Sequence, residues 1–160
     1  MPSSFQDISD FSSMDMTKPP GRTYKYNTSP QLWSFGWGLT YSQFSIQLVN
    51  ASTTIFKQFD KATYTVRLTN IGKRDSDEVI QVYFKPLFTR VGVPTPQRQL
   101  IDFERFHVTK GSSVIATYTV DAAQLQLVDK SGVRAAHSGK YKLCFTNGVD
   151  ASAEVDITVA

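Results

Sequence analysis

The chain has 160 residues, enough for one domain with a real core and well short of the roughly 250 that a (β/α)₈ barrel needs. Hydrophobic residues make up 41% and charged residues 19%, which excludes a disordered chain. The net charge of +3 is scattered instead of gathered on one stripe, which argues against a nucleic-acid footprint.

Residues 1–43 are expected to form an extended arm. Ser, Asp, Pro and Gly dominate its first thirty positions, Pro19-Pro20-Gly21 punctuates it, and no period persists. Phe5, Phe11, Tyr24 and Tyr26 are odd for a free linker, so the arm should lie along its own domain or a neighbour. From Phe44 the period is two. Strands are expected over Phe44–Val49, Thr63–Thr69, Val79–Phe84, Leu100–Val108, Val114–Val120, Tyr141–Phe145 and Ala153–Val159, with turns at Asn70-Ile71-Gly72, Lys110-Gly111 and Asn147-Gly148. Residues 121–128 could form a short helical turn capped by Asp121. About seven short strands with turn signals between them point to an all-β sandwich of the immunoglobulin or fibronectin type III kind over residues 44–160.

Motifs for catalysis are weak. Asp102 and Glu104 lie two apart on a strand, about 7 Å, a separation that inverting glycosidases use. The simpler reading puts Ile101 and Phe103 toward the core and both carboxylates in water. Asp75, Asp77 and Glu78 lack the spacing of a calcium loop and read as a solvated turn. His107 and His137 stand near no recognisable nucleophile, and His137 reads as an exposed loop residue. Cys144 is the sole cysteine, so no internal disulfide exists; it reads as a buried structural thiol, and one cysteine with two histidines makes no Cys/His zinc site. No metal or cofactor is expected. No apolar run reaches the ~20 residues of a membrane helix. Met1 to Phe11 show no signal-peptide pattern, while the triplets Asn27-Thr28-Ser29 and Asn50-Ala51-Ser52 fit N-glycosylation and hint at a secreted parent.

The informative region is aromatic. Tyr24, Tyr26, Trp33, Phe35, Trp37, Tyr41 and Phe44 fall within 21 residues. Such rings can plug one end of a sandwich, dock a protein partner or stack on sugars. The Gly spacing in Phe35-Gly36-Trp37-Gly38 is no phosphate loop, because no strand–helix unit surrounds it.

Several stretches resemble one family. Pro20-Gly21-Arg22-Thr23-Tyr24 is similar to its Pro-Gly-Arg-Thr-Tyr signature. Phe35-Gly36-Trp37-Gly38-Leu39-Thr40-Tyr41 is similar to its Phe-Gly-Tyr-Gly-Leu-Ser-Tyr signature. Asn70-Ile71-Gly72 with Asp77 to Tyr83 resembles two of its strands, and Gln99-Leu100, Phe103-Glu104-Arg105 and Lys110-Gly111-Ser112 resemble a later stretch. The family is the glycoside hydrolases of family three, the β-glucosidases and β-xylosidases, and the resemblance is to their C-terminal fibronectin type III-like domain. It covers residues 14–160, and Met14-Asp15-Met16 leans toward the β-xylosidase branch. Asp102 stands where the family often has Gly, and Trp37 where it often has Tyr. Residues 88–97 form a loop of variable type, to which no role is carried over.

The resemblance implies that the nucleophile Asp and the acid/base Glu belong to domains N-terminal to the matched region. Neither is assigned in this chain, which is not expected to hydrolyse anything itself. It also implies a secreted enzyme acting on plant cell-wall polysaccharide. Two uses of the rings follow. In one, the domain docks on catalytic domains, with Arg22 pairing to a carboxylate or carbonyl and Tyr24, Trp33, Phe35, Trp37 and Tyr41 as apolar anchors. In the other, the same rings bind polysaccharide. An adhesion sandwich unrelated to sugars is a third reading, against which the motifs stand.

Overall fold

The computed structural model of the chain describes residues 13–57 and 59–160. Phe5 and Phe11 of the arm lie outside them. A single helical turn, α1 (Thr23–Tyr26), precedes the strands β1 (Phe44–Ala51), β2 (Ile55–Phe56), β3 (Lys61–Asn70), β4 (Ser76–Pro86), β5 (Gln99–Val108), β6 (Ser113–Asp121), β7 (Leu127–Val128), β8 (Arg134–Ala135), β9 (Gly139–Thr146) and β10 (Ser152–Val159). Strands β1-β3-β6 form one sheet and β2-β10-β9-β4-β5 the other, with β7-β8 a small ribbon. This is the all-β sandwich that the alternation predicts. Only the two-residue strands β2, β7 and β8 are additional, because two residues show no period.

Alternation builds the core. On β3, Ala62, Tyr64, Val66 and Leu68 are buried while the Thr and Arg side chains between them face out. On β9, Tyr141, Leu143 and Phe145 do the same from the facing sheet. Each fully buried side chain of this size stabilises the fold by about 1.5–3 kcal/mol. Phe145 sits at the centre, 6.0 Å from the Tyr64 ring and 5.8 Å from the Tyr118 ring. The Tyr64 hydroxyl donates to the Thr53 carbonyl at 2.9 Å, and burial pushes its pKa up to about 12.

Polar residues organise the corners. Asn70 is buried at the end of β3. Its Nδ2 donates to the carbonyls of Arg74 and Val108, and its Oδ1 accepts from the Ser42 hydroxyl at 2.6 Å. One amide therefore ties β3, β5 and the end of the arm together. Asp121 caps the short 3₁₀ turn Ala122–Leu125: it accepts from the Ala123 N–H, while Gln124 accepts from the Asp121 N–H. The capped turn expected from the sequence is there.

Three expectations need correction. Phe103 does not face the core: it is 65% exposed. The β4–β5 pairing shifts register between Val82 and Tyr83, which leaves Ile101 as an extra residue, and a one-residue slip reverses the faces. Asp102 and Glu104 then stand opposite Val82 and Ile80, on the core-facing side of an edge strand, where both stay exposed. Their charges help raise the Tyr118 pKa, which burial raises most. Cys144 is half-buried on the outer face of its sheet, not in the core, since Leu143 and Phe145 take the inward positions. His137 is half-buried, with Nδ1 2.9 Å from Arg90 Nη1. An Arg nitrogen only donates, so His137 Nδ1 accepts.

Candidate functional site: an arm on the outer face

The arm lies on the outer face of the five-stranded sheet. Gly21, at φ +83°, turns the chain into α1, which projects Tyr24 back onto β4. The Tyr24 ring stacks on Phe35 at 4.3 Å and 16°, and meets the buried Tyr83 edge-on at 6.1 Å. Its hydroxyl accepts from the Leu100 N–H at 3.2 Å. Gln97 seals the turn from the other side: its backbone N–H donates to the Lys25 carbonyl and its side-chain amide to the Asn27 carbonyl.

A polar relay fixes the next segment. The Tyr83 hydroxyl donates to Gln81 Oε1 at 2.5 Å, and Gln81 Nε2 donates to the Gly36 carbonyl at 3.0 Å. Gly36 has φ +86°, and a Cβ there would collide with the Gln81 side chain. Glycine is therefore required twice over, by its dihedral and by the close approach. Arg98 completes the lid, its guanidinium 4.5 Å above the Tyr83 ring.

The six residues singled out in the sequence thus separate into two groups. Tyr24 and Phe35 are stacked on each other over their own sheet. Arg22 is engaged within the arm, its Nη1 donating to the Ser13 carbonyl at 2.6 Å. Trp33, Trp37 and Tyr41 point outward, at 55%, 40% and 86% exposure. The two indoles lie 5.8 Å apart and tilted by 40°, next to exposed Leu32 and Leu39. Of the other rings in the cluster, Phe44 is core and Tyr26 is half-buried, its pKa raised by burial.

Two charged features flank the arm. Below Leu39, Asp77 accepts from Arg105 Nε at 3.0 Å and lies 2.6 Å from His107 Nδ1. Hydrogen bonds from His107 and then Arg105 hold its carboxyl below the usual range. Neighbouring Glu78 is shifted upward, chiefly by burial. On the other side, a groove of about 470 Å³ runs between the arm and strands β4, β9 and β10. Sequence reasoning missed it, because its walls come from segments more than a hundred residues apart. Cys144 lies in this groove, where burial pushes its thiol pKa up. Among the described residues no group of three or more His, Cys, Asp or Glu side chains could hold a metal.

An aromatic arm laid on a two-sheet sandwich defines a class: a β-sandwich domain with an ordered surface segment. Residues 78–147 match the family model of the fibronectin type III-like domain, and over most of its length the chain is similar to segments of β-glucosidases and β-xylosidases. The chain is 28% identical over 137 residues to the periplasmic β-glucosidase of Salmonella typhimurium, covering 84% of this chain and 17% of that protein. It is 28% identical over 153 residues to β-D-xylosidase 1 of Arabidopsis thaliana, covering 78% of this chain and 20% of that one. A β-glucosidase from Erythrobacter marinus superposes with a TM-score of 0.74 at 21% identity, over 91% of this chain and 19% of that chain, a likeness of fold. The chain therefore spans about a fifth of the length of the relatives it matches.

Proposed function

We propose that this domain is a non-catalytic accessory sandwich of a β-glycosidase, exported with its parent enzyme, and that it docks on and stabilises the catalytic domains. The observation that supports this most is the division of the arm. Tyr24, Phe35 and Gly36 are already bound to the sandwich, so Trp33, Trp37, Leu39 and Tyr41 are held out at little further entropic cost. Pre-ordered aromatic anchors are what a protein interface uses as its central contacts. The relative named as periplasmic supports export, and the β-glucosidase and β-xylosidase relatives support the reaction class of the parent.

Polysaccharide binding by the same rings is the second reading. The 40° tilt of the indoles favours docking over it, because a tilted pair presents a wedge rather than a flat stacking platform. The test is co-expression of the chain with the catalytic segment of its parent glycosidase, beside pull-down on insoluble xylan and cellulose. Docking predicts co-purification that Trp33→Ala/Trp37→Ala abolishes while the variant still folds. Retention on xylan or cellulose, lost in that folded variant, would transfer the rings to polysaccharide binding.

A further inference from the structure

The groove beside the arm carries an electrostatic conflict. Lys85 on β4 stands directly opposite Lys142 on β9. Directly opposed like charges on one face of a sheet repel. Lys142 is relieved by Glu154 at 2.7 Å and Asp156 at 3.9 Å. Lys85 makes no ion pair among the described residues. With Arg98 the groove walls hold three cations against the single carboxylate of Glu154. A second, independent observation lies on the opposite wall: Asn27 is 4% exposed, lines the groove, and its Nδ2 has no hydrogen-bond partner. A buried amide donor left unpaired carries an uncompensated desolvation cost, so an acceptor at this position is stabilising.

We infer that this groove binds a carboxylate-bearing saccharide, a hexuronate unit, with its carboxylate at Lys85 and a ring or hydroxyl oxygen at Asn27 Nδ2. Thr28, Ser29 and Gln97 supply further polar groups for sugar hydroxyls along the same walls. The anionic part of the ligand follows from the groove alone, whereas the saccharide part rests on the glycosidase reading. Trp33 and Trp37 do not line this groove, so the site is separate from the docking rings.

The test is calorimetric titration of the full chain with a glucuronate-substituted xylo-oligosaccharide, the same oligosaccharide without the uronate, and inorganic phosphate. The expected result is binding of the uronate form, at least about tenfold weaker binding of the neutral form, and loss of affinity as salt rises. Lys85→Gln, an exposed position, should weaken the uronate about tenfold with no fall in the melting temperature, since it also removes the repulsion with Lys142. Trp33→Ala/Trp37→Ala should leave it unchanged, so failure of docking and failure of this site are read apart. Equal affinity for both oligosaccharides, no binding of either, an affinity for phosphate equal to that for the uronate, or an unaffected Lys85→Gln variant would overturn the assignment.

Discussion

Two aromatic pairs, interleaved in sequence, meet opposite fates. Tyr24 stacks on Phe35 and meets the buried Tyr83, while Trp33 and Trp37, on either side of Phe35, meet only each other. Phe35 at 46% exposure is no more buried than Trp37 at 40%, so contact with the sheet and not exposure separates the pairs. Hydrophobicity does not separate them, since Trp buries as much area as Phe or Tyr. Anchoring does. Tyr24 has the Leu100 N–H for its hydroxyl, and the carbonyl next to Phe35 receives the Gln81 amide through Gly36. Among the described residues the indole N–H groups of Trp33 and Trp37 make no such bond to the sheet. Tyr24 sits in α1 and Phe35 in the turn at Gly36, and it is these two bent stretches that are bonded to the sheet. The lesson is that ring content tells where contact is made, and the hydrogen bonds of the surrounding backbone tell with whom.

The largest effect should come from the core beneath both pairs. Phe145→Ala removes the ring that joins Tyr64 and Tyr118, at a cost of about 3–5 kcal/mol. Chemical denaturation should show a domain at or near complete unfolding. Both aromatic pairs would then lose their platform together.

Next comes the hinge between the pairs. Gly36→Ala introduces strain at positive φ and pushes Gln81 away from the Gly36 carbonyl and the Tyr83 hydroxyl. The expected loss is about 1–3 kcal/mol. Hydrogen exchange should show residues 24–37 opening while β3 and β9 stay protected. Protection of the arm equal to wild type would mean that the relay does not hold it.

A sharper contrast pits the pairs against each other. Tyr24→Ala should destabilise by about 1–3 kcal/mol, through lost stacking and an unpaired Leu100 N–H. Trp33→Ala/Trp37→Ala should stay within about 0.5 kcal/mol per site of wild type, as exposed substitutions do.

The smallest effect is on acid stability. The Asp77 carboxyl is held below its ordinary value of 3.8 by His107 and Arg105, so its folded form binds fewer protons than the unfolded one. Its contribution is present above pH 3.8 and is lost as pH falls through the lower folded value. Asp77→Asn should therefore flatten the fall of the urea midpoint below pH 3.8 and leave the slope above it unchanged. Asp77 is exposed, so the change is small.

Much of the sandwich was legible. Long strands declare themselves by alternation, and Asp121 with Gln124 three residues on announces its own capped turn. The face assignment of Phe103 failed because a bulge opposite Val82–Tyr83 leaves no mark in a run of alternating residue types. The arm's aromatic content was visible, but its landing place was not. Tyr24 finds Leu100 and Tyr83 only after β4 and β5 have paired, a contact set by tertiary structure with no local signal. For the same reason Lys85 and Lys142 look like two scattered surface lysines until the β4–β9 register places them face to face.

Tyr24 and Phe35 hold the arm to the sandwich, and Trp33 and Trp37 are offered to a partner. Parallel thermal melts of the wild type, Tyr24→Ala and Trp33→Ala/Trp37→Ala test this division most directly. Tyr24→Ala is expected to melt clearly lower and the double tryptophan variant close to wild type. A drop for the tryptophan variant as large as that for Tyr24→Ala would contradict it, because the indoles would then belong to the fold and not to a partner.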